Sequence, residues 1–230
     1  MNGTNAPYVP HIPSVRAQII TRRTYNRPLD EAGTIFETWE DTVDRVILHQ
    51  RWLWERAKGG ELTADEWNEL RELRRLMLDR RVFLAGRTLW LGGTEVARRR
   101  EASMFNCSFA RATTVADVVD QFWLLLQGCG VGFRPVPGIL TGFAKPVEIQ
   151  VIRSLNLDTK GEEQNREDFY TGPDGKRVWY IQVGDSAEAW AKAAGKLLAN
   201  KRPVDVLLLD FRQIRRPGVR LKGYGWISSG

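Results

Sequence analysis

Residues 185–209 read DSAEAWAKAAGKLLANKRPVDVLLL, and this stretch decides the fold class. Asp185 and Glu188 are expected to open a helix. Its larger apolar residues recur at helical spacing and are Trp190, Ala194 and Leu197. Val204–Leu209 is a short, nearly continuous apolar run, which is typical of a strand covered on both faces. A helix followed by a buried strand predicts an α/β unit.

The composition outside this stretch is that of a globular protein. The 230 residues are 43% hydrophobic and 27% charged. The longest unbroken apolar run is Phe122–Leu126, whereas a membrane-spanning helix needs roughly 20 apolar residues. The N-terminus is polar and contains proline, without the basic and apolar regions of a secretory signal. We therefore expect neither a membrane segment nor a secretory leader.

The cysteine count and the charge limit the function further. Two cysteines and two histidines exclude a disulfide scaffold and a cysteine/histidine zinc cage, so we expect no metal site of that kind. A reducing, cytoplasmic location is expected, where a functional thiol would be catalytic. The net charge of +6 favours acidic partners, either nucleic acid or phosphorylated small molecules, although a solvated basic surface explains it equally well.

Three further helices are predicted from a threonine followed three positions later by an acidic residue, the pattern of a capping box. The pairs are Thr34 with Glu37, Thr63 with Glu66, and Thr114 with Asp117. The first helix should end at Gly59-Gly60 and form a hairpin with the second, and the third should end at Gly128.

The segments around these helices have weaker patterns. We expect an irregular arm over 1–28, extended chain with tight turns over 82–94, a half-buried strand at 147–151, and a turn at 172–175 that leads into a strand over 177–183. The domains expected are 1–81, an arm with a helical hairpin, and 82–230. Because the chain stops in the glycine-punctuated, apolar loop 223–230, it is expected to be cut from a longer protein.

Cys107 is the first candidate for chemistry. Arg98-Arg99-Arg100 lies upstream, and nearby positive charge stabilises a thiolate, which is the reactive form of cysteine. A buried cysteine that acts as a small hydrophobic residue is the alternative. The residues alone leave both possibilities open.

Three other patterns were considered. The glycine-rich stretch 128–133 follows a helix and lacks the glycine order of dinucleotide or Walker loops, so it predicts a turn where chain or ligand approaches closely. The basic tail can hold phosphate or simply be solvated; its residues are Arg212, Arg215, Arg216, Arg220 and Lys222. The carboxylates of Asp117, Asp120, Asp185 and Glu188 show no catalytic pairing, since two of them are explained by helix capping.

The region from Gly86 to Phe133 resembles the adenosylcobalamin-dependent, class II ribonucleotide reductases, in particular the monomeric ribonucleoside-triphosphate reductases. The matching stretches are 85–94 (AGRTLWLGGT), 102–109 (ASMFNCSF), 122–133 (FWLLLQGCGVGF), 183–190 (VGDSAEAW) and 221–230 (LKGYGWISSG). They occur in the order of the family, and the resemblance extends over nearly the whole chain from about Arg22 onward.

The resemblance implies a reductase that removes the 2′-hydroxyl of a ribonucleoside triphosphate through a thiyl radical. The radical is generated with adenosylcobalamin, and a cysteine pair that supplies two electrons is afterwards reduced by thioredoxin or another dithiol. Cys107 matches the first cysteine of that pair, and Cys129 matches no redox position. The second redox cysteine, the radical-bearing cysteine, the substrate phosphate loop and most of the cobalamin site lie beyond the point that matches Gly230. A complementary C-terminal reductase chain is therefore an expected partner, and the isolated chain should be inactive.

The resemblance also implies a fold and an allosteric site. The fold expected is an N-terminal helical region followed by the first part of a ten-stranded α/β barrel, which would be incomplete. Residues 135–146 align with one segment of the site for a deoxynucleoside triphosphate effector, and later residues align with an insertion that substitutes for a dimer partner. The candidate effector-binding residues are Pro135, Pro137, Gly138 and Lys145.

Two other functions were weighed against this one. A non-catalytic, deoxynucleotide-binding or regulatory remnant would bind the effector and have no activity in any mixture. A basic nucleic-acid binder would lose affinity steeply with salt, but neither a recognition helix nor a stripe of stacking aromatic residues supports it. No direct binding of nucleic acid is therefore expected.

Overall fold

The computed structural model describes residues 12–30, 32–139, 145–199, 202–221, 224 and 227–229. The chain divides into two compact units, Met1–Met104 and Phe105–Gly230. No helix within the described ranges is long and apolar enough to cross a membrane.

The first unit is helical. Its elements are α1 (Val15–Thr24), α2 (Trp39–Lys58), α3 (Ala64–Leu78), α4 (Gly86–Leu91), α5 (Glu95–Arg99) and a 3₁₀ turn over Glu101–Met104. The pairs Lys58–Glu66 and Arg74–Asp44 show that α2 and α3 run antiparallel, as the predicted hairpin requires. The core between them is apolar and centres on Val43, Val46, Met77 and Leu89.

The predicted start of α2 at Thr34 is wrong. The helix begins at Trp39, because Thr38 accepts a hydrogen bond from the Asp41 backbone and Asp41 completes the capping box. Thr34 instead donates to the Asp30 carboxylate from both its backbone and its hydroxyl. The end of the helix is as predicted, since Gly59 adopts φ 73° at the cap.

Glu37 stabilises tertiary contacts instead of capping a helix. Its carboxylate is buried and accepts hydrogen bonds from the Arg45 guanidinium, the Thr42 hydroxyl and the Arg27 backbone. Burial opposes ionisation, but the hydrogen bond and charge of Arg45 outweigh it, so the pKa of Glu37 lies below its ordinary value. Arg45 also donates to the carbonyls of Leu89 and Gly92, and this buried pair thus joins the arm to α4.

The prediction of extended chain over 82–94 is wrong for about half of that segment, because α4 occupies Gly86–Leu91. The short helix α5 and the 3₁₀ turn follow it. Thr94 caps α5 by accepting from the Ala97 backbone, although no acidic residue follows at the capping-box position. Extended chain begins only with the strand at Cys107.

The second unit contains two sheets. Its elements are β1 (Cys107–Ala112), α6 (Val115–Leu126), β2 (Gly130–Pro135), β3 (Glu148–Ile152), β4 (Arg166–Thr171), β5 (Arg177–Gln182), α7 (Ala187–Ala199) and β6 (Val206–Asp210). Strands β1 and β2 form a parallel pair, and the other sheet has the order β3-β6-β5-β4, in which only the β4–β5 hairpin is antiparallel. The described strands therefore give an α/β architecture, and the ten-stranded barrel is not confirmed.

The four-stranded sheet confirms the α/β unit predicted from residues 185–209. Strand β6 lies at its centre, and Leu207 is completely buried against α7 in one apolar core with Trp179, Ile181, Ala193 and Leu209. The prediction of a half-buried strand at 147–151 is right about β3 but wrong about its burial. Ile149 and Val151 remain 56% and 55% exposed, because β3 is an edge strand.

The helix ends of this unit confirm one predicted cap and correct another. Thr114 and Asp117 form the predicted capping box of α6, and hydrogen bonds from Thr113 and Thr114 lower the pKa of Asp117 to about 2. Ser186, not Asp185, accepts from the helix backbone at the start of α7. Asp185 is buried and instead pairs with Arg215 at 2.6 Å.

Candidate functional site

The candidate site is one face of the β1–β2 pair, which we call the thiol face. In the parallel register Cys107 lies beside Gly130, Phe109 beside Gly132, and Arg111 beside Arg134. Because successive side chains of a strand alternate between faces, these three pairs share one face. All six residues are exposed.

Cys107 is the first residue of β1, and its thiol is exposed and free. A Cβ atom built on Gly130 would lie 3.8 Å from its Sγ and 3.4 Å from the Asn106 carbonyl. A Cβ on Gly132 would meet the Phe109 ring at 3.1 Å. The two glycines thus keep β2 free of side chains beside the thiol, and a ligand can approach Cys107 from that side.

Cys129 has a different environment. Its side chain is 1% exposed, and its backbone N–H donates to the Leu124 carbonyl at the end of α6. Gly128 before it adopts φ 84°, a conformation that favours glycine. Both cysteines are free, and Cys129 behaves as a small buried hydrophobic residue.

Arg111 and Arg134 give the thiol face a positive end. They occupy the same register position on neighbouring strands, and neither guanidinium makes a side-chain hydrogen bond or ion pair within the part of the chain that the structure describes. Like charges directly opposite each other on a sheet are destabilising. Along β1 the guanidinium end is four residues from the thiol, about 13 Å at roughly 3.3 Å per residue.

The candidate effector residues lie on the segment from the end of β2 to Lys145, of which only part is described. Pro135 is the last residue of β2, Pro137 is exposed, and Gly138 adopts φ 83°. Lys145 is exposed and lies near Asp205, whose pKa is lowered first by hydrogen bonds from Arg177 and more weakly by the charge of Lys145. Residues 140–144 of this segment lie outside the described ranges.

An open cleft of about 620 Å³ adjoins that segment, and sequence reasoning missed it. Its walls come from the start of α6, the end of α7 and one residue after Gly138; they are Thr114, Val115, Ala116, Val119, Asp120, Ile139, Gly195 and Ala199. Gly195 allows the two helices to approach closely, since a Cβ there would meet the Val119 side chain at 2.8 Å. Gly195, a glycine inside a helical pattern, is the feature of the sequence that could have indicated this cleft.

The basic tail is mostly engaged in structural ion pairs. Arg212 binds Asp210, Arg215 binds Asp185, and Arg216 binds Asp158. Asp210 also accepts a hydrogen bond of 2.5 Å from the Tyr180 hydroxyl; burial and this bond raise the pKa of Tyr180. These pairs favour a structural task over phosphate binding for the tail. Lys222 lies outside the described ranges.

The described part of the chain holds one histidine, His49, which is buried in α2 with its ring stacked on Trp52 and is not placed to bind the cobalt of a corrin cofactor. His11 lies outside the described ranges. No group of three or more side chains that could hold a free metal ion occurs in the described part of the chain.

The chain is similar in sequence to known proteins. Residues 3–94 match the family model for the ribonucleotide reductase alpha domain. The chain is 27% identical to the adenosylcobalamin-dependent ribonucleoside-triphosphate reductase of Lactobacillus acidophilus over 91% of its own length and 33% of the relative. The corresponding protein of Euglena gracilis is also 27% identical, over 93% of this chain and 27% of the relative.

A solved structure shows the same fold. The crystal structure of a B-12 dependent (class II) ribonucleotide reductase superposes with a TM-score of 0.68 at 23% identity, over 92% of this chain and 34% of that one. The chain spans about a third of the length of the curated relatives that it matches. By sequence, the chain is similar to the N-terminal part of the adenosylcobalamin-dependent ribonucleoside-triphosphate reductases, and its fold is similar to that of the class II structure.

Proposed function

We propose that this chain is the N-terminal part of a ribonucleoside-triphosphate reductase and that Cys107 is one of its two reducing thiols. The observation that carries the proposal is the exposed thiol of Cys107 beside a strand that bears only glycine at the two nearest register positions. A ribose needs this room to bring its 2′ carbon to a thiol. The names of the relatives support the reaction class.

The proposed chemistry balances with two thiols. The carbon–hydroxyl bond at C2′ breaks, a carbon–hydrogen bond replaces it, and the hydroxyl leaves as water. The two thiols lose two electrons and two protons and become a disulfide. Because Cys129 is buried, Cys107 needs a second thiol from outside this chain. A further polypeptide would hold that thiol, the adenosylcobalamin site and the radical cysteine.

The positive end of the thiol face suits a phosphorylated substrate. Arg111 and Arg134 are exposed and adjacent, and guanidinium groups bind phosphate with paired, charge-assisted hydrogen bonds. A nucleoside triphosphate is an extended ligand with a ribose at one end and charge at the other. The thiol and the two arginines lie at opposite ends of this face, with Phe109 between them, and their separation matches that arrangement.

The test is reconstitution with the C-terminal two thirds of a related class II reductase, adenosylcobalamin, nucleoside triphosphate and a dithiol. We expect deoxynucleotide to form, and we expect Cys107→Ser to abolish multiple turnover. Cys129→Ala is the matched control, since it removes the buried thiol and should keep turnover within about twofold if the fold tolerates the small cavity. If the Cys107→Ser mixture turns over like the wild type, the role of Cys107 is wrong.

We also propose that the cleft between α6 and α7 takes the deoxynucleoside triphosphate effector, together with Pro135, Pro137, Gly138 and Lys145. The position of Ile139 in the cleft wall, directly after Gly138, supports this placement. Saturable binding of a deoxynucleoside triphosphate, weakened by Lys145→Gln, is the expected result in calorimetry. Binding without deoxynucleotide formation in any reconstituted mixture would favour the alternative, a non-catalytic regulatory remnant.

A further inference from the structure

Tyr224 makes a long-range contact with the end of α6. Its hydroxyl donates a hydrogen bond of 2.8 Å to Oε1 of Gln127, a residue 97 positions earlier. Gln127 is 1% exposed, so this bond is made in a buried environment. A hydrogen bond between elements so distant in sequence restrains the position of both.

The residues after Gln127 transmit that restraint to β2. The N–H groups of Gln127 and Cys129 both donate to the Leu124 carbonyl, and Gly128 turns the chain at φ 84°. Only Gly128 separates Gln127 from Cys129, and Gly130 follows directly. The turn is therefore short and fully hydrogen-bonded, and a displacement of Gln127 moves Gly130.

Gly130 in turn borders the thiol. Its N–H donates to the Asn106 carbonyl at 2.8 Å, next to Cys107 in the chain, and it is the register partner of Cys107. We propose that Tyr224 is a positioning residue for Cys107, which acts through Gln127 and the α6–β2 turn. The effect of the Tyr224 contact on turnover rests on the proposed function. The coupling between the positions of Tyr224 and Cys107 does not.

The experiment compares Tyr224→Phe with the wild-type chain and with Tyr180→Phe. The control variant removes a hydroxyl that binds Asp210 in the other sheet. Two quantities are measured: hydrogen exchange of the Gly130 amide, and the pH profile of Cys107 alkylation by iodoacetamide, followed by mass spectrometry. Buried Cys129 reports any general unfolding in the same sample.

We expect Tyr224→Phe to raise the exchange rate of the Gly130 amide about threefold to tenfold, the factor that corresponds to one net hydrogen bond. The pH profile of Cys107 should change as well, because the peptide groups around the thiol move. The exchange of the Leu207 amide and the alkylation of Cys129 should stay at their wild-type rates. Tyr180→Phe should leave Gly130 and Cys107 unchanged.

A double-mutant cycle separates positioning from a general loss of stability. Gln127→Leu should reproduce the effect of Tyr224→Phe, and the double variant should show no further change, because both single substitutions remove the same hydrogen bond. Wild-type exchange and alkylation in Tyr224→Phe would overturn the proposal, as would a change shared equally by Leu207. Neither hydrogen exchange nor alkylation uses nucleotide. A failure of this proposal can therefore be distinguished from a failure of the reductase assay.

Discussion

Arg80 adopts a backbone conformation that L-residues other than asparagine and aspartate rarely take, with φ 58° directly after α3. Its N–H and those of the next two residues satisfy the last carbonyls of that helix. Its guanidinium donates to the Thr21 hydroxyl at 2.7 Å and lies 4.7 Å from the centre of the Trp39 ring. The side chain thus secures α1 and α2 while its backbone is strained.

Two substitutions of Arg80 separate these effects. Arg80→Ala loses the side-chain contacts and keeps the strain, so the free energy of unfolding should fall by about 1–2 kcal/mol. Arg80→Gly loses the same contacts but relieves the strain, and should be more stable than the alanine variant by about 1 kcal/mol. Urea denaturation measures both. A glycine variant no more stable than the alanine variant would contradict this account.

Single residues also show what could be predicted from the sequence and what could not. The exposed position of Cys107 is compatible with the functional alternative that the residues leave open. The turn predicted over 128–133 is wrong from Gly130 onward, where β2 begins, although the glycines there do allow a close approach. The partners of Glu37 and Asp185 could not be predicted. Glu37 pairs with Arg45 and Asp185 pairs with Arg215. No local sequence pattern specifies either contact.

Among the elements, β6 and β3 differ most in burial although they are hydrogen-bonded neighbours. Leu207 on β6 is completely buried, whereas its register partner Ile149 on β3 is 56% exposed. We expect Leu207→Ala to lower the free energy of unfolding by about 2–5 kcal/mol. Ile149→Ala, the matched control, should lower it by no more than about 1 kcal/mol. Equal losses in thermal or urea unfolding would show that β3 is covered in solution.

Helix boundaries were predictable where one cap had no competitor. Thr63 and Thr114 each begin a capping box, and both helices start there. At the start of α2 two such boxes overlap, at Thr34 and at Thr38, and local sequence cannot choose between them. Because Arg45 binds the Glu37 carboxylate, Glu37 does not cap a helix at Thr34, and Thr38 becomes the N-cap of α2. The short helices α4 and α5 were missed because each is too short for helical periodicity to show.

At the scale of the whole molecule, the second unit exposes many large apolar side chains. They include Phe109, Leu125, Phe133, Ile149 and Val151, each at least half exposed. Extended apolar surface of this kind marks an interaction site or an aggregation hazard. The class II relatives continue for about twice the length of this chain beyond the matched part, and we propose that this portion covers the exposed side chains.

We therefore expect the isolated chain to bind the dye ANS while it still unfolds in one transition. Mixing it with the C-terminal two thirds of a class II relative should reduce the dye fluorescence and raise the denaturant midpoint. An unrelated protein of similar size serves as the control. An isolated chain that binds no dye and keeps the same midpoint in the mixture would contradict this expectation.

The pairing of β1 with β2 also determines what the two cysteines can do to each other. Strand registers are discrete, and a slip by one residue exchanges the two faces of a strand. Cys129 directly precedes β2, so a slip by one residue would replace Gly130 by Cys129 as the neighbour of Cys107. Neighbouring strands lie about 4.8 Å apart, which is within the range of Cα separations that a disulfide spans. The present alignment of two short strands is thus what keeps oxidation from joining the chain's only two thiols and removing Cys107 from use.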